Sequence, residues 1–184
     1  MAFYINSSEK TSSSEISYLL HKCIRHQRKK WSELIFLCIG SDKITGDCLG
    51  PYIGHQLSRY KSGHFFVYGT LAEPVHALNL ERVFTEIKNR HPKALIIAID
   101  ASLGEKKHLG YVTIGNGALH PGAGVQKNLL PVGDIYITGI VNIAGILEQL
   151  TLQTTSLFTV ISLADVITQG ILQLLYSNRI IQTL

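Results

Sequence analysis

Two uninterrupted apolar runs of strand length constrain the fold of this chain most strongly. One covers residues 34–39, and the other covers residues 95–99 and ends directly at Asp100. Runs without polar alternation are typical of strands that are buried on both faces of a parallel sheet. Segments with apolar residues at helical spacing separate these runs. Because strand and helix alternate along the chain, the sequence predicts an α/β fold.

The remaining segments extend this alternation. Residues 110–115 predict a short antiparallel edge strand. Further strands are predicted at 65–68, 134–139 and 158–161. Helices are predicted at 14–30, 47–60, 75–89, 142–150 and 163–176. The expected architecture is a three-layer α/β/α sandwich around a mostly parallel, twisted sheet with one antiparallel edge strand.

Length and composition indicate one compact domain. The chain has 184 residues, of which 46% are apolar and 16% are charged, as in a globular core rather than a disordered segment. Residues 1–13 are polar and serine-rich and predict a flexible N-terminal tail, so one domain is expected to cover residues 14–184. No apolar run reaches the roughly 18 residues of a membrane span, and the first residues lack the order of a secretory signal. We therefore expect a cytoplasmic protein without a membrane partner.

Cysteine number and charge argue against several classes of protein. Cys23, Cys38 and Cys48 show no C-x-x-C spacing, which excludes a paired disulfide framework and a cysteine zinc site. The net charge is +4, and much of it falls on the basic stretch at 21–30. A solvated helix face explains that stretch better than contact with nucleic acid, because the rest of the chain has no basic stripe and no stacking aromatic residues.

Asp47 and Asp100 each follow a predicted strand. In an open α/β sheet, ligands bind in the crevice beyond the carboxyl ends of the parallel strands. If the strand at 34–39 lies between those at 65–68 and 95–99, both aspartates face one crevice. Neighbouring strands are about 4.8 Å apart, so the two carboxylates can bracket a water molecule, one as base and one as acid. A helix N-terminus favours ionised Asp47, and an apolar strand end favours protonated Asp100.

Each aspartate also has a purely structural explanation. Asp47 could cap the helix that follows it, and Asp100 could be held by nearby backbone N–H groups. The loop at 40–46 is not a phosphate loop, the sequence has no nucleophile elbow, and no pair of histidines has metal-ligand spacing. Cys48 leaves a cysteine nucleophile open, although no histidine is placed to activate it.

Four further residues are candidates for substrate binding. Gly46 precedes the first aspartate, Thr70 ends the second strand, and His76 begins the next predicted helix. Lys127 lies in the glycine-rich segment 116–131, which is predicted to be a surface loop and could act as a lid. A turn cap is the simpler interpretation of Thr70, and a solvated or structural side chain is the simpler interpretation of His76 and Lys127.

Several segments, in the same order, resemble the sporulation protein YyaC family. The matching stretches are residues 38–51 (CIGSDKITGDCLGP), 68–80 (YGTLAEPVHALNL), 97–104 (IAIDASLG), 121–127 (PGAGVQK) and 132–142 (VGDIYITGIVN). The resemblance covers residues 34–165. That family is similar to the germination protease, which degrades small acid-soluble spore proteins, and beyond it to the hydrogenase-maturation endopeptidases.

The resemblance implies an α/β/α sandwich with two aspartates as the catalytic groups. Asp47 matches the catalytic aspartate of a D-A-L-G-P motif in the germination protease, and Asp100 matches the one in an A-I-D-A motif. The maturation peptidases add a later histidine that binds nickel together with two acids. The matching segment at 137–141 has no histidine here, and His120 lies upstream of it. This departure favours a reaction that requires no metal or other cofactor.

The resulting expectation is a sporulation-associated peptidase of atypical aspartic type. Asp47 and Asp100 would hydrolyse a protein or peptide substrate, such as a spore protein, in the cytoplasm of a sporulating cell or forespore. The alternative is a non-catalytic member that binds a peptide or protein in the same cleft. A metal-assisted endopeptidase is a weaker alternative, and the formation of a homo-oligomer stays open.

Overall fold

Six strands and five α-helices are present in the residues that the computed structural model describes, which are 2–60, 65–122 and 129–177. The strands are β1 (Ala2–Asn6), β2 (Glu33–Cys38), β3 (Phe65–Tyr68), β4 (Ala94–Gly104), β5 (Tyr111–Asn116) and β6 (Ile135–Ile143). The helices are α1 (Ser12–Arg25), α2 (Leu49–Leu57), α3 (Leu80–Arg90), α4 (Glu148–Gln153) and α5 (Leu157–Tyr176). A short 3-10 turn at Gly46–Cys48 leads into α2.

The strands form one sheet in the order β1-β5-β6-β4-β2-β3. β2 pairs in parallel with β3 on one side and with β4 on the other, and β4 pairs in parallel with β6. β1 and β5 complete the sheet with antiparallel pairings. The apolar runs at 34–39 and 95–99 therefore lie side by side at the centre, and their carboxyl ends meet at one edge. This order meets the condition under which Asp47 and Asp100 face one crevice.

Two apolar clusters cover the two faces of the sheet. Helices α1, α2 and α5 pack against one face, which includes Phe36 and Ile97. Helix α3 packs against the other face, which includes Leu37 and Ala98. Because alternate residues of a strand point to opposite faces, an uninterrupted apolar run is what this two-sided burial requires. The mixed sheet with helices on both sides confirms the predicted α/β class.

The N-terminal residues form an edge strand rather than a flexible tail. β1 pairs along its whole length with β5, from Ala2 opposite Gly115 to Asn6 opposite Tyr111. Ile5 is 2% exposed and belongs to the core that α1 covers. The prediction of a flexible tail over residues 1–13 is therefore wrong for β1. It relied on the serine-rich composition of this segment and overlooked the apolar residues at positions 3 and 5.

Three other predicted elements differ from the structure. Residues 110–115 form an antiparallel strand, but β1 lies outside it, so β5 is internal. Residues 158–161 belong to helix α5 and form no strand. The helix predicted at 142–150 is replaced by the end of β6 and the later helix α4. In the last two cases the packing of a longer element overrides local composition.

Helix α5 is long and apolar enough, by length and composition alone, to cross a membrane. In the fold it packs against α1 and α2. Val160, Leu163, Ile167 and Ile171 are buried on its inner side. Gly170 lets α1 approach, since a Cβ there would lie 2.5 Å from the Cγ2 atom of Ile16. These contacts are those of a core helix.

Candidate active site

Asp100 is a buried carboxylate where the apolar part of β4 ends. Its side chain is 7% exposed, and its Oδ1 accepts a hydrogen bond from the N–H of Ala101 at 2.8 Å. β4 continues past it to Gly104, still paired with β6. Burial raises the pKa of Asp100 well above its usual range, and the nearby negative charge of Asp47 raises it further. Of the two carboxyl groups Asp47 and Asp100, Asp100 is therefore the one that holds a proton more readily.

Asp47 lies in the 3-10 turn between β2 and α2 and is partly buried. Burial raises its pKa, and this effect is opposed by a hydrogen bond from the backbone of Ser41 and by the charge of His76. The expected stabilisation of its ionised form by the helix is thus outweighed by burial. The N-cap of α2 is Cys48, and no side chain forms a capping hydrogen bond there. The alternative that Asp47 caps this helix is wrong.

The charge of Asp47 acts on Asp100. Asp47 is the second-largest cause of the raised pKa of Asp100, after burial. Two carboxylates that repel each other in a desolvated site lose their protons in two separate steps, and the proton that remains after the first step belongs to the pair. Over the pH range between those steps, one group can accept a proton while the other donates one. Acid–base chemistry on a bound water requires this combination.

Glycines allow the loop with Asp47 to fold back onto the end of β2. Gly40 has φ +138°, and a Cβ at this position would lie 1.9 Å from the carbonyl oxygen of Asp47. That same oxygen accepts a hydrogen bond from the N–H of Ser41 at 3.1 Å. A Cβ on Gly50, in the first turn of α2, would lie 2.1 Å from the carbonyl oxygen of Ile39. The absence of side chains at Gly40 and Gly50 therefore lets the backbone around Asp47 and the first turn of α2 pack directly against the end of β2.

The loop after β3 brings His76 towards Asp47. The N–H of Gly40 donates to the carbonyl oxygen of Val75 at 2.8 Å, which fixes this loop against the end of β2. His76 follows directly, and its charge lowers the pKa of Asp47. Its Nδ1 accepts a hydrogen bond from the N–H of Leu78 at 3.3 Å, which orients the ring within this loop. His76 is thereby held as a potential donor beside the aspartate.

The other predicted binding residues have different surroundings. Thr70 closes a turn, because its hydroxyl accepts from the N–H of Glu73 at 3.1 Å and its own N–H donates to the carbonyl of Glu73 at 3.1 Å. This arrangement is the turn cap that was the simpler interpretation. Gly46 is buried, and a Cβ there would lie 2.9 Å from both Leu152 and the hydroxyl of Thr155. Lys127 lies outside the described residues.

A row of hydroxyls next to Asp100 was missed by sequence reasoning. Thr138 of β6 lies opposite Asp100 in the sheet. Its hydroxyl is 2.6 Å from that of Thr113 and accepts a hydrogen bond from the hydroxyl of Ser102 at 3.2 Å. Thr113 and Thr138 are both buried. Polar residues that lie opposite each other on neighbouring strands could have indicated this row. Sequence alone does not show which residues lie opposite each other, because the strand order must be known first.

Two other chemistries find little support in the described residues. Between residues 2 and 177, outside the gaps at 61–64 and 123–128, no group of three or more His, Cys, Asp or Glu side chains is placed to hold a metal ion. Cys48 donates its thiol to the carbonyl of Thr45 at 3.1 Å. Burial and the charge of Asp47 both raise the pKa of Cys48, so its thiolate is disfavoured as a nucleophile.

Comparisons with known proteins place this chain in a family. A protein from Bacillus subtilis (strain 168), described as "Uncharacterized protein YyaC", is 40% identical over 168 residues, which are 91% of this chain and 81% of that protein. Two solved structures share part of the architecture. The [NiFe] hydrogenase maturation protease HycI from Thermococcus kodakarensis KOD1 matches 81% of this chain and 98% of its own with TM-score 0.45 and 13% identity. A hydrogenase 3 maturation protease matches 74% of this chain and 87% of its own with TM-score 0.46 and 12% identity.

The match to a protein family covers nearly the whole chain and includes both aspartates. The family described as "Protein of unknown function (DUF1256)" matches residues 4–170. These residues include every strand but the first two positions of β1, and all of the candidate active site. On this match and on the identity to the Bacillus subtilis protein, the chain belongs to the DUF1256 family.

Proposed function

We propose that this protein is a peptidase that hydrolyses a protein substrate with the carboxylate pair Asp47 and Asp100. The observation that carries the proposal is the burial of Asp100, at 7% exposure, beside a second carboxylate that raises its pKa. A buried carboxylate opposite a like charge costs stability. A fold retains such a pair more readily at a functional site than as scaffold. The matches of both aspartates to the motifs of the germination protease support the same reaction.

In the proposed reaction, the more exposed Asp47 is the base and the buried, protonated Asp100 is the acid. Asp47 takes a proton from a water molecule, whose oxygen forms a bond to the carbonyl carbon of the scissile peptide. Asp100 donates its proton to the departing nitrogen as the carbon–nitrogen bond breaks. The products are a carboxylic acid and an amine, and a proton passes from Asp47 back to Asp100 before the next cycle. General acid–base catalysis of this kind contributes about 10²–10⁴-fold in rate for each group.

The proposal includes a protein substrate in a sporulating cell, which follows from the resemblance to the spore protease and not from the site itself. The assay is therefore incubation of the purified protein with acid-extracted spore proteins, with new termini read by mass spectrometry. We expect Asp47→Asn and Asp100→Asn each to lower cleavage by at least about 10²-fold. Both variants should keep the circular dichroism spectrum of the unchanged protein.

Asp42→Asn is the matched control, because Asp42 lies in the same loop but is exposed. It should cleave as the unchanged protein does. Cleavage that persists in both Asp47→Asn and Asp100→Asn would contradict the proposal. A protein that binds a spore protein without cutting it would instead be the non-catalytic alternative. Added chelator should leave cleavage unchanged, and loss of activity that nickel or zinc restores would favour the metal-assisted alternative.

A further inference from the structure

A pocket between helices α2 and α5 lies outside the candidate active site. Its volume is about 200 Å³, and its walls include Gln56, Arg59, Tyr60, Asp165, Thr168 and Leu172. Gln56 belongs to the last turn of α2, whereas the turn that carries Asp47 lies before the first. The length of the helix separates these two turns by about 10 Å. The pocket is therefore a site distinct from the carboxylate pair.

A chain of hydrogen bonds fixes one wall of this pocket. The hydroxyl of Thr168, which is 5% exposed, donates to Oε1 of Gln56 at 2.6 Å. Nε2 of Gln56 in turn donates to Oδ1 of Asp165 at 2.7 Å. The carboxylate of Asp165 is thus oriented by an amide that a buried hydroxyl holds in place. Because a carboxylate can accept about four hydrogen bonds, Asp165 keeps the capacity to bind a further donor.

The pocket also carries two opposite charges that do not pair with each other. Arg59 is exposed just beyond α2, and its Nη2 lies 3.2 Å from Nε2 of His55. Asp165 is half-buried. Among the residues that the structure describes, neither Arg59 nor Asp165 forms an ion pair. Because a carboxylate that loses hydration without a cationic partner costs free energy, the arrangement suits a ligand that supplies the partners of both charges.

The size of the pocket restricts this ligand to a small molecule. A cavity of about 150 Å³ holds one benzene molecule, whereas pockets for drug-sized ligands reach about 300–1,000 Å³. A pocket of about 200 Å³ therefore suits a single amino acid and is too small for a peptide of several residues. The guanidinium of Arg59 offers paired N–H groups that match a carboxylate. Tyr60 and Leu172 offer apolar surface to the body of the ligand.

We propose that this pocket binds a free α-amino acid, with its ammonium group on Asp165 and its carboxylate on Arg59. A ligand with one charge would meet a like charge on one wall, and an uncharged ligand would desolvate both walls without pairing either. A zwitterion pairs both. The inference does not rest on the proposed peptidase function, because the pocket is separate from Asp47 and Asp100 and its test measures binding alone.

The test is isothermal titration calorimetry of the full-length protein with each of the twenty standard L-amino acids in turn. We expect at least one of them to bind with a dissociation constant of about 1 mM or lower. The amino acid that binds best is then compared with two analogues. Its α-amide lacks the carboxylate, and its deaminated acid lacks the ammonium group. Both analogues should bind at least about tenfold more weakly, because each loses one charge-assisted contact.

Two variants connect this selectivity to the pocket. Asp165→Asn and Arg59→Gln should each weaken binding of the amino acid at least about tenfold. In Asp165→Asn the amino acid and its deaminated acid should bind within about twofold of each other, and in Arg59→Gln the same should hold for the amino acid and its amide. Asparagine can still accept the hydrogen bond from Gln56, so both variants should keep the circular dichroism spectrum of the unchanged protein. A merely structural role of Asp165 would not produce this exchange of selectivity.

Arg82→Gln and Asp42→Asn are the matched controls. The side chain of Arg82 is 72% exposed on α3, which covers the opposite face of the sheet, and Asp42 is exposed in the loop before Asp47. Both variants should bind within about twofold of the unchanged protein. Binding of none of the twenty amino acids, or equal binding to Asp165→Asn and the unchanged protein, would overturn the proposal. Binding that Asp100→Asn abolishes and Asp165→Asn retains would overturn it in favour of the carboxylate pair.

Discussion

Replacement of Gly40 by alanine should damage both the stability and the activity of this protein. A Cβ at this position would lie 1.9 Å from the carbonyl oxygen of Asp47, and the backbone angle φ is +138°. Ordinary contact needs a separation of at least about 3.4 Å, so the turn that carries Asp47 must move by more than 1 Å. Because the position of a Cβ is fixed by its own backbone and the atom it meets is a backbone oxygen, rotation of a side chain cannot relieve the clash.

The expected loss of stability is about 2–4 kcal/mol. A non-glycine residue at such a φ costs about 1–3 kcal/mol. The movement also breaks the hydrogen bond from the N–H of Ser41 to the carbonyl of Asp47, which contributes about 1 kcal/mol. A displacement of about 1 Å at a reacting group can lower the rate about 10²-fold. We therefore expect cleavage by Gly40→Ala to fall by about that factor while the fold remains.

Gly117→Ala is the matched control for this experiment. Gly117 has φ +112°, in the same left-handed region, but nothing lies within 4 Å of its ideal Cβ. This variant should therefore lose only the cost of backbone strain, about 1–3 kcal/mol, and should keep full activity. Urea denaturation gives the stabilities, and the cleavage assay gives the rates. Equal stability and equal activity of the two variants would refute the claim that Gly40 holds Asp47 in place.

Four further predictions follow from burial and pKa. The profile of kcat/KM against pH should be bell-shaped, with its acidic limb above the ordinary carboxyl pKa, because burial raises the pKa of both Asp47 and Asp100; a limb at or below the ordinary value would contradict this. Asp100→Asn should raise the urea midpoint at about pH 8 but not at about pH 3. A carboxyl group whose pKa is raised by folding destabilises the native protein as pH rises above the pKa of that group in the unfolded chain, and asparagine removes this effect. An equal change in the midpoint at both pH values would show that ionisation is not the cause. Iodoacetamide should label Cys48 slowly and Cys38 only after unfolding, because Cys38 is fully buried and burial raises its pKa, and mass spectrometry of native protein checks this. Ile5→Ala should cost about 2–5 kcal/mol in urea denaturation, as for a core residue, whereas a mobile tail would give almost no change.

The centre of the fold could be predicted because its strands are buried on both faces. The apolar runs at 34–39 and 95–99 have no polar alternation, and that pattern at strand length is typical of a central parallel strand. Their adjacency then places Asp47 and Asp100 at one edge. Neither the effect of Asp47 on the pKa of Asp100 nor the row of hydroxyls at Thr138 follows from composition, because both depend on which side chains the completed sheet brings together.

The periphery was harder to predict because local composition there conflicts with tertiary packing. Phe158, Thr159, Val160 and Ile161 are good strand formers, yet they begin helix α5. A twenty-residue helix buried against α1 and the sheet gains more from packing than these residues lose in helix propensity. In β1, by contrast, the local sequence is a short alternating segment followed by many serines. It forms a strand because it pairs with β5 at the edge of the sheet.

The pairing of β1 with β5 has a consequence for how the protein forms in the cell. β1 and α1 leave the ribosome before the other described elements, but the residues that pair with β1 are synthesised more than a hundred residues later. Helix α1 packs chiefly on α5, which is translated last among the described elements. Contacts between residues that are far apart in sequence form slowly. Until they form, unpaired strands and exposed apolar helices are prone to aggregate. Folding of the described domain is therefore expected to complete only after α5 has left the ribosome.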